Sequence, residues 1–217
     1  MDLLNIAQTR YTTKAYNPEK KIPQQQFEAL LEVLRFTPSS INIQPWHFLV
    51  ADNDAAKQRI AKSLVGRYAY NAPKVLDSSH TIVFCTRTDI SEDYLDTLLQ
   101  NDEQSGRFKD EKAKQGQKDS RIGYVNFYRD EKGDLQGWME NQTFIALGHL
   151  LLAAGIEGID ATPIGGFDEN ILNTEFDLAS KGLKSSVIMT LGYRSDNDFN
   201  AQLPKSRLPA EQIFTHL

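Results

Sequence analysis

The 217-residue sequence has one cysteine, Cys85. No disulfide can form within the chain, which fits a reducing compartment. Cys85 stands in an apolar stretch and reads as an inert core thiol rather than a nucleophile. No G-x-G-x-x-G follows an apolar strand and no G-x-x-x-x-G-K-[ST] occurs, so neither a Rossmann dinucleotide site nor a P-loop is expected. There is no G-x-S-x-G elbow. The four histidines, His47, His80, His149 and His216, lack metal-ligand spacing, and no metal site is expected. Basic residues number 24 against 29 acidic ones, for a net charge of −5. A sequence-independent nucleic-acid binder carries the opposite excess. The longest nearly apolar run, Phe144–Ile156, is too short to span a bilayer. The opening MDLLNIAQTR has no basic segment leading into an apolar one. The expectation is a soluble cytoplasmic protein with neither a nucleic acid nor a membrane as partner.

What is present is ordinary globular chemistry, with 40% hydrophobic and 24% charged residues. It predicts a single domain over 1–217 with no repeats. The apolar pattern alternates between helical and strand periods. Helices are predicted over 2–9, 23–36 (Phe27, Leu30, Leu31 and Leu34 on one face), 54–65, most of 91–128 with Ser91 as N-cap and a loop near Ser105–Gly106, and 135–156, stopped by Gly155 and Gly158. A further short helix starts near Asp168. Strands are predicted at Trp46–Ala51, His80–Cys85, 158–162 and Ser186–Tyr193. The half-helix Phe144–Ile156 is apolar almost all round, which calls for cover by a second subunit as well as by the core. The tail 194–217 has little helical periodicity but carries Phe199, Leu203, Leu208, Ile213 and Phe214, and is expected to wrap over something, a second subunit included.

Five polar clusters carry potential chemistry, and each has a plainer reading. Arg10–Tyr11–Thr12–Thr13–Lys14 is an anion cradle or a solvated helix end. Pro38–Ser39–Ser40–Ile41–Asn42–Ile43–Gln44–Pro45–Trp46 is a rigid hydroxyl- and amide-rich rim for a planar ligand, or a helix stop followed by a strand start. Tyr68–Ala69–Tyr70–Asn71–Ala72–Pro73–Lys74 suits a flat heterocycle with carbonyl edges, or is a turn. Pro163–Ile164–Gly165–Gly166–Phe167 lets backbone approach a ring closely, or makes a tight turn. Leu203–Pro204–Lys205–Ser206–Arg207–Leu208 offers two cations to a phosphate, or is a surface basic pair.

Taken in order, these stretches resemble the FMN-dependent nitroreductase family, and within it the bacterial oxygen-insensitive NAD(P)H nitroreductases and NAD(P)H–FMN oxidoreductases. The resemblance spans essentially the whole chain. S-S-x-N-x-Q-P-W at 39–46 and L-P-K-S-R at 203–207 are its most specific parts. It implies an α+β fold with a mixed central β-sheet flanked by helices, in an intertwined homodimer whose C-terminal arms (194–217) exchange between subunits. It also implies FMN as bound cofactor and NADH or NADPH as electron donor.

By the same resemblance, Arg10, Thr12, Lys205 and Arg207 hold the FMN phosphate, with Tyr11 beside them. Lys14, Asn71 and Lys74 follow the pyrimidine edge of the flavin. Gly165 and Gly166 present backbone donors to the ring. Pro38, Ser39, Ser40 and Asn42 reach the flavin from the partner subunit. Ser40, Ile41, Tyr68, Tyr70, Arg107 and Tyr124 line the substrate cleft. The chain departs from the family pattern with Thr12 for serine, Gly165 for an acidic residue, Ile41 for a small polar residue, and Gly123–Tyr124 for two aromatics.

The implied activity is hydride transfer from NAD(P)H to flavin N5, with two electrons then passed to nitroaromatics, quinones or flavins in a ping-pong cycle. The flavin carries the reaction, Lys14 and Lys74 tune it, and no protein acid or base is required. The alternatives are a dihydropteridine or free-flavin reductase, or a flavin-binding protein without turnover.

Overall fold

The computed structural model describes residues 2–217. Its centre is a four-stranded sheet of β1 (Trp46–Ala51), β2 (His80–Arg87), β3 (Asp160–Ile164) and β4 (Leu183–Gly192), in the order β1-β2-β4-β3. Every pairing in it is antiparallel. The expected mixed sheet thus becomes an antiparallel one within the chain, its parallel component reduced to a single Thr12–Ala161 bridge. The α+β class with flanking helices is as expected.

Strand alternation explains how the layers form, because successive side chains point to opposite faces. Ile82 and Phe84 on β2, with Val187, Met189 and Leu191 on β4, pack against α2 (Gln24–Arg35) and α7 (Leu135–Ile156). Val83, Cys85 and Ile188 face the other way, into a core shared with α3 (Asp54–Ala61), α4 (Ala72–Asp77) and α8 (Glu169–Glu175). Cys85 is fully buried, and burial pushes its thiol up to about 12, which keeps it protonated and inert at neutral pH. A third cluster, around Ile43, Leu95, Val125 and Trp138, joins α5 (Glu92–Gln104) and α6 (Glu111–Asn126) to the start of α7. The remaining helices are α1 (Leu3–Thr9) and α9 (Ala210–Ile213).

Several boundaries differ from the expected ones for identifiable reasons. Pro73 sits in the first turn of α4, where a proline costs no hydrogen bond; the Asn-Ala-Pro stretch is therefore a helix start. Gly158, at φ +69°, ends α7, whereas Gly155 lies inside it. A Cβ at Gly155 would stand 3.0 Å from Ile6 Cγ2, so its role is to let α1 pack closely. Strand β4 begins earlier than expected, directly after Gly182 at φ +63°. Strand β3 runs on to Ile164 and α3 stops at Ala61. Ser91 caps α5 by accepting from Tyr94 N, as expected. Lys57 is buried and donates to the carbonyls of Leu76 (2.7 Å) and Ser78 (2.9 Å), pinning the end of α4.

On α7, Phe144 and Ile145 are nearly half exposed in the single chain. The tail carries Phe199 and Phe214 at 65% exposure each. Among the described residues, no helix is long and apolar enough to cross a membrane, and no cluster of His, Cys, Asp and Glu is arranged to hold a metal ion.

Candidate functional site

Two ends of the chain build one cavity. Helix α1 closes at Thr9, and the strand-like segment after it runs beside the tail. Thr9, Arg10, Tyr11 and Thr12 from one side and Asn200, Lys205 and Arg207 from the other line a space of about 490 Å³. The Lys205 ammonium donates to the carbonyls of Ala7 and Arg10. Burial and then the charge of Arg207 lower the Arg10 pKa. Burial, Arg207 and Arg10 together lower that of Lys205. Among the described residues, none of the three cations forms an ion pair with a carboxylate. Three like charges facing one space are held there at an electrostatic cost that an anion would reverse.

The frame of this cavity is a buried carboxylate that the sequence does not single out. Asp198 accepts from the Tyr11 hydroxyl (3.1 Å), Lys14 N (3.2 Å) and Asn200 N (3.1 Å). The Asn200 side chain donates to Thr12 O at 2.7 Å. Burial pushes the Tyr11 phenol up to about 12, with Arg194 opposing and Asp198 adding to the shift. Arg194 pairs with Asp160 at 2.7 Å and lies over the Tyr11 ring. Below, the Thr162 hydroxyl donates to Thr13 O at 2.6 Å and Tyr16 bonds the same hydroxyl, so the loop 12–14 rests on β3.

A second group gathers beside the end of β3. Asn71 Nδ2 donates to Gly166 O (2.9 Å), and its Oδ1 accepts from Lys74 Nζ (2.8 Å). Lys74 is buried, also donates to Tyr70 O, and has its pKa lowered by burial first and then by the charge of Lys14. A Cβ on Gly166 would stand 3.2 Å from both Asn71 Nδ2 and Tyr68 Cδ1, whereas one on Gly165 would meet nothing within 4 Å. A side chain at Gly166 would thus press on Asn71 and Tyr68, and one at Gly165 would not. Gly166→Ala is expected to displace Asn71 and lower stability by about 1–3 kcal/mol, the usual range for overpacking. Thermal denaturation of the variant checks this.

The third group is the segment 38–44. Pro38 is exposed, and Ser39, Ser40, Ile41 and Asn42 are half-buried. Ile41, Asn42 and Gln44 all adopt positive φ (49°, 55° and 46°), a region costing on the order of 1 kcal/mol or more for each non-glycine residue. Ser40 N donates to Gln142 Oε1 (2.9 Å) and Gln44 N to Ser39 Oγ (3.0 Å). Tyr94 donates to Ile43 O and Gln44 O. Arg121 Nε donates to Ile41 O at 3.1 Å.

On the α5–α6 side, Arg107 and Tyr124 are exposed. Tyr124 lines an open hollow with Ser120, Gly123 and Phe127. Tyr70 is exposed and carries the Lys74 ammonium over its ring.

The structure therefore brings the first and fifth clusters together, and separately the third and fourth, with the Lys14 charge felt at Lys74. Asp198, Asn200, Gln142, Asp102 and Arg121, which fix these groups, are not among the residues the sequence singles out.

The chain matches the nitroreductase family model over residues 7–193. It is 41% identical to the oxygen-insensitive NAD(P)H nitroreductase of Enterobacter cloacae, covering 99% of each chain. It is 40% identical over the full length of both chains to the enzyme of that name from Salmonella typhimurium. It is 35% identical to the major NAD(P)H-flavin oxidoreductase of Aliivibrio fischeri, covering 99% of this chain and 98% of the relative. A nitroreductase crystallised in complex with FMN from Exiguobacterium sibiricum shares the fold, with a TM-score of 0.82 at 23% identity over 100% of this chain and 98% of that one. This chain belongs to the nitroreductase family.

Proposed function

We propose that this chain is an FMN-dependent oxidoreductase that draws electrons from NAD(P)H and delivers them in pairs to nitroaromatics, quinones or flavins, donor and acceptor occupying one cleft in turn. The observation that carries the reading is the unpaired trio Arg10, Lys205 and Arg207 around one cavity. It fits a phosphate, and the space is too polar for an apolar ligand. The residues present also fit the rest of FMN. Gly165 leaves room for a ring to lie against backbone, since a Cβ there would meet nothing within 4 Å, and Lys74 and Asn71 offer donors at its edge.

When bound, FMN supplies hydride acceptance at N5 and two-electron delivery. The protein supplies the rest. Arg10, Lys205 and Arg207 grip the phosphate, with Thr12 and Tyr11 beside them. Lys14 and Lys74 set positive charge at the pyrimidine edge, which favours the added negative charge of the reduced state. Gly165 and Gly166 aim backbone N–H groups at the ring. Tyr68, Tyr70, Arg107 and Tyr124 wall the cleft. Pro38, Ser39, Ser40, Ile41 and Asn42 reach the flavin of a second copy of the chain. In that homodimer, Phe144, Ile145 and the apolar tail residues are covered. Of the arm 194–217 only the part beyond Arg207 crosses to the partner, because residues 194–207 pack on residues 7–16 of their own chain. No side chain is needed as acid or base, because the acceptor's protons can come from water.

Anaerobic stopped-flow mixing of the purified, FMN-loaded protein with NADH or NADPH tests the reading. The yellow absorbance is expected to bleach within the turnover time and to return on adding a nitroarene or quinone. A yellow protein that neither nucleotide bleaches would leave a flavin-binding role without turnover.

A further inference from the structure

The segment Ser39–Gln44 is bent against its own backbone preferences, and something must hold it so. The tethers at its most strained residues come from one buried ion pair. Arg121 on α6 and Asp102 on α5 are 1% and 2% exposed, and Arg121 Nη2 stands 2.6 Å from Asp102 Oδ2. From this pair, Arg121 Nε donates to Ile41 O, and Asp102 Oδ1 lies 3.4 Å from Asn42 Nδ2. Asp102 Oδ1 is also 3.4 Å from the Nε of Arg107, on the exposed turn between α5 and α6. The third guanidinium nitrogen, Arg121 Nη1, is buried without a partner. A charge pair this deep is seldom retained for stability, since an apolar pair of similar volume serves as well.

We infer that Arg121 and Asp102 are positioning residues: they hold Ile41 and Asn42 in the left-handed conformation, and so tie the α5–α6 hairpin, which carries Arg107 and Tyr124, to the segment that clasps the flavin. The inference deepens the functional reading and rests on it for the role of that segment. Neither residue lines the cavity of Arg10, Lys205 and Arg207. Both act through the Ile41 carbonyl and the Asn42 side chain. Once released, the segment relaxes toward extended backbone, and Ser40, Ile41 and Asn42 lose their places together.

The test uses the full-length protein in two forms. Asp102→Leu/Arg121→Met removes both charges at once and is expected to melt near the wild-type temperature. Arg121→Lys keeps the ion pair but lacks the planar fork that serves Asp102 and Ile41 together. In both, hydrogen exchange at the amides of Ser40, Asn42, Ile43 and Gln44 is expected to quicken on the order of tenfold, while β2 and β4 stay protected. FMN and riboflavin are expected to lose affinity by the same factor, because the phosphate cradle is untouched. KM for a quinone is expected to rise about tenfold or more. Folded variants with wild-type exchange over 39–44 would overturn the inference. So would a loss of FMN affinity that riboflavin does not share. The exchange readout needs no cofactor, so a wild-type protein that takes up no FMN would sink the functional reading and leave this measurement standing.

Discussion

Arg207→Ala is expected to weaken FMN binding roughly 10- to 100-fold, the value of a charge-assisted contact of about 1.5–3 kcal/mol. The hydride step in whatever fraction stays loaded is expected to change little. Arg207 stands among Arg10 and Lys205 with no carboxylate paired to any of them, so its removal relieves repulsion in the empty cradle as well as costing a contact. The variant should therefore be no less stable without cofactor than the wild type. Both effects are read by titrating FMN into the stripped protein and melting the stripped forms side by side. The salt dependence adds a check. Raising ionic strength should weaken FMN far more than riboflavin, because only the phosphate meets the three cations. An unchanged FMN affinity in Arg207→Ala would remove this residue from the site.

Lys14→Ala is expected to lower the two-electron midpoint potential of the bound flavin. Loss of one hydrogen-bonded charge of about 1.5–3 kcal/mol corresponds to roughly 30–60 mV for a two-electron couple. The direction follows from charge: reduction adds negative charge at the ring edge, and a cation there stabilises the product more than the reactant. Lys14 is held for this by its own backbone, since its N–H is fixed on the buried Asp198. Its charge is felt at Lys74, whose pKa burial and Lys14 both lower. An equilibrium titration against a dye of known potential reads the shift. An unchanged potential would place Lys14 away from the ring.

The periodic elements were the legible part. Phe27, Leu30 and Leu34 recur at helical spacing and are buried together. Trp46–Ala51 is a strand with the predicted bounds. Helix α4 was hidden because Pro73 reads as a break unless it falls in a first turn. The direction of strand pairing was not readable either, since β2 and β4 are buried on both faces along most of their length and alternation alone does not fix their neighbours. Of the site, the cationic clusters could be seen because charge is written in single residues. Their convergence came only from the family resemblance, because it depends on Asp198 and Asn200, which nothing in the local sequence singles out. The same holds for Asp102 and Arg121, whose burial is a property of the α5–α6 packing and leaves no local mark.

The joining of residues 10–14 to residues 198–207 has a bearing on biosynthesis. Lys205 and Arg207 emerge from the ribosome long after Arg10, with all four strands between them in the chain. The strands and most helices can assemble while those two are still inside the exit tunnel. Coenzyme loading on this geometry waits for that later segment. A chain truncated before Lys205 would keep the four strands and the helices packed on them yet lack two of the three cations of the cradle.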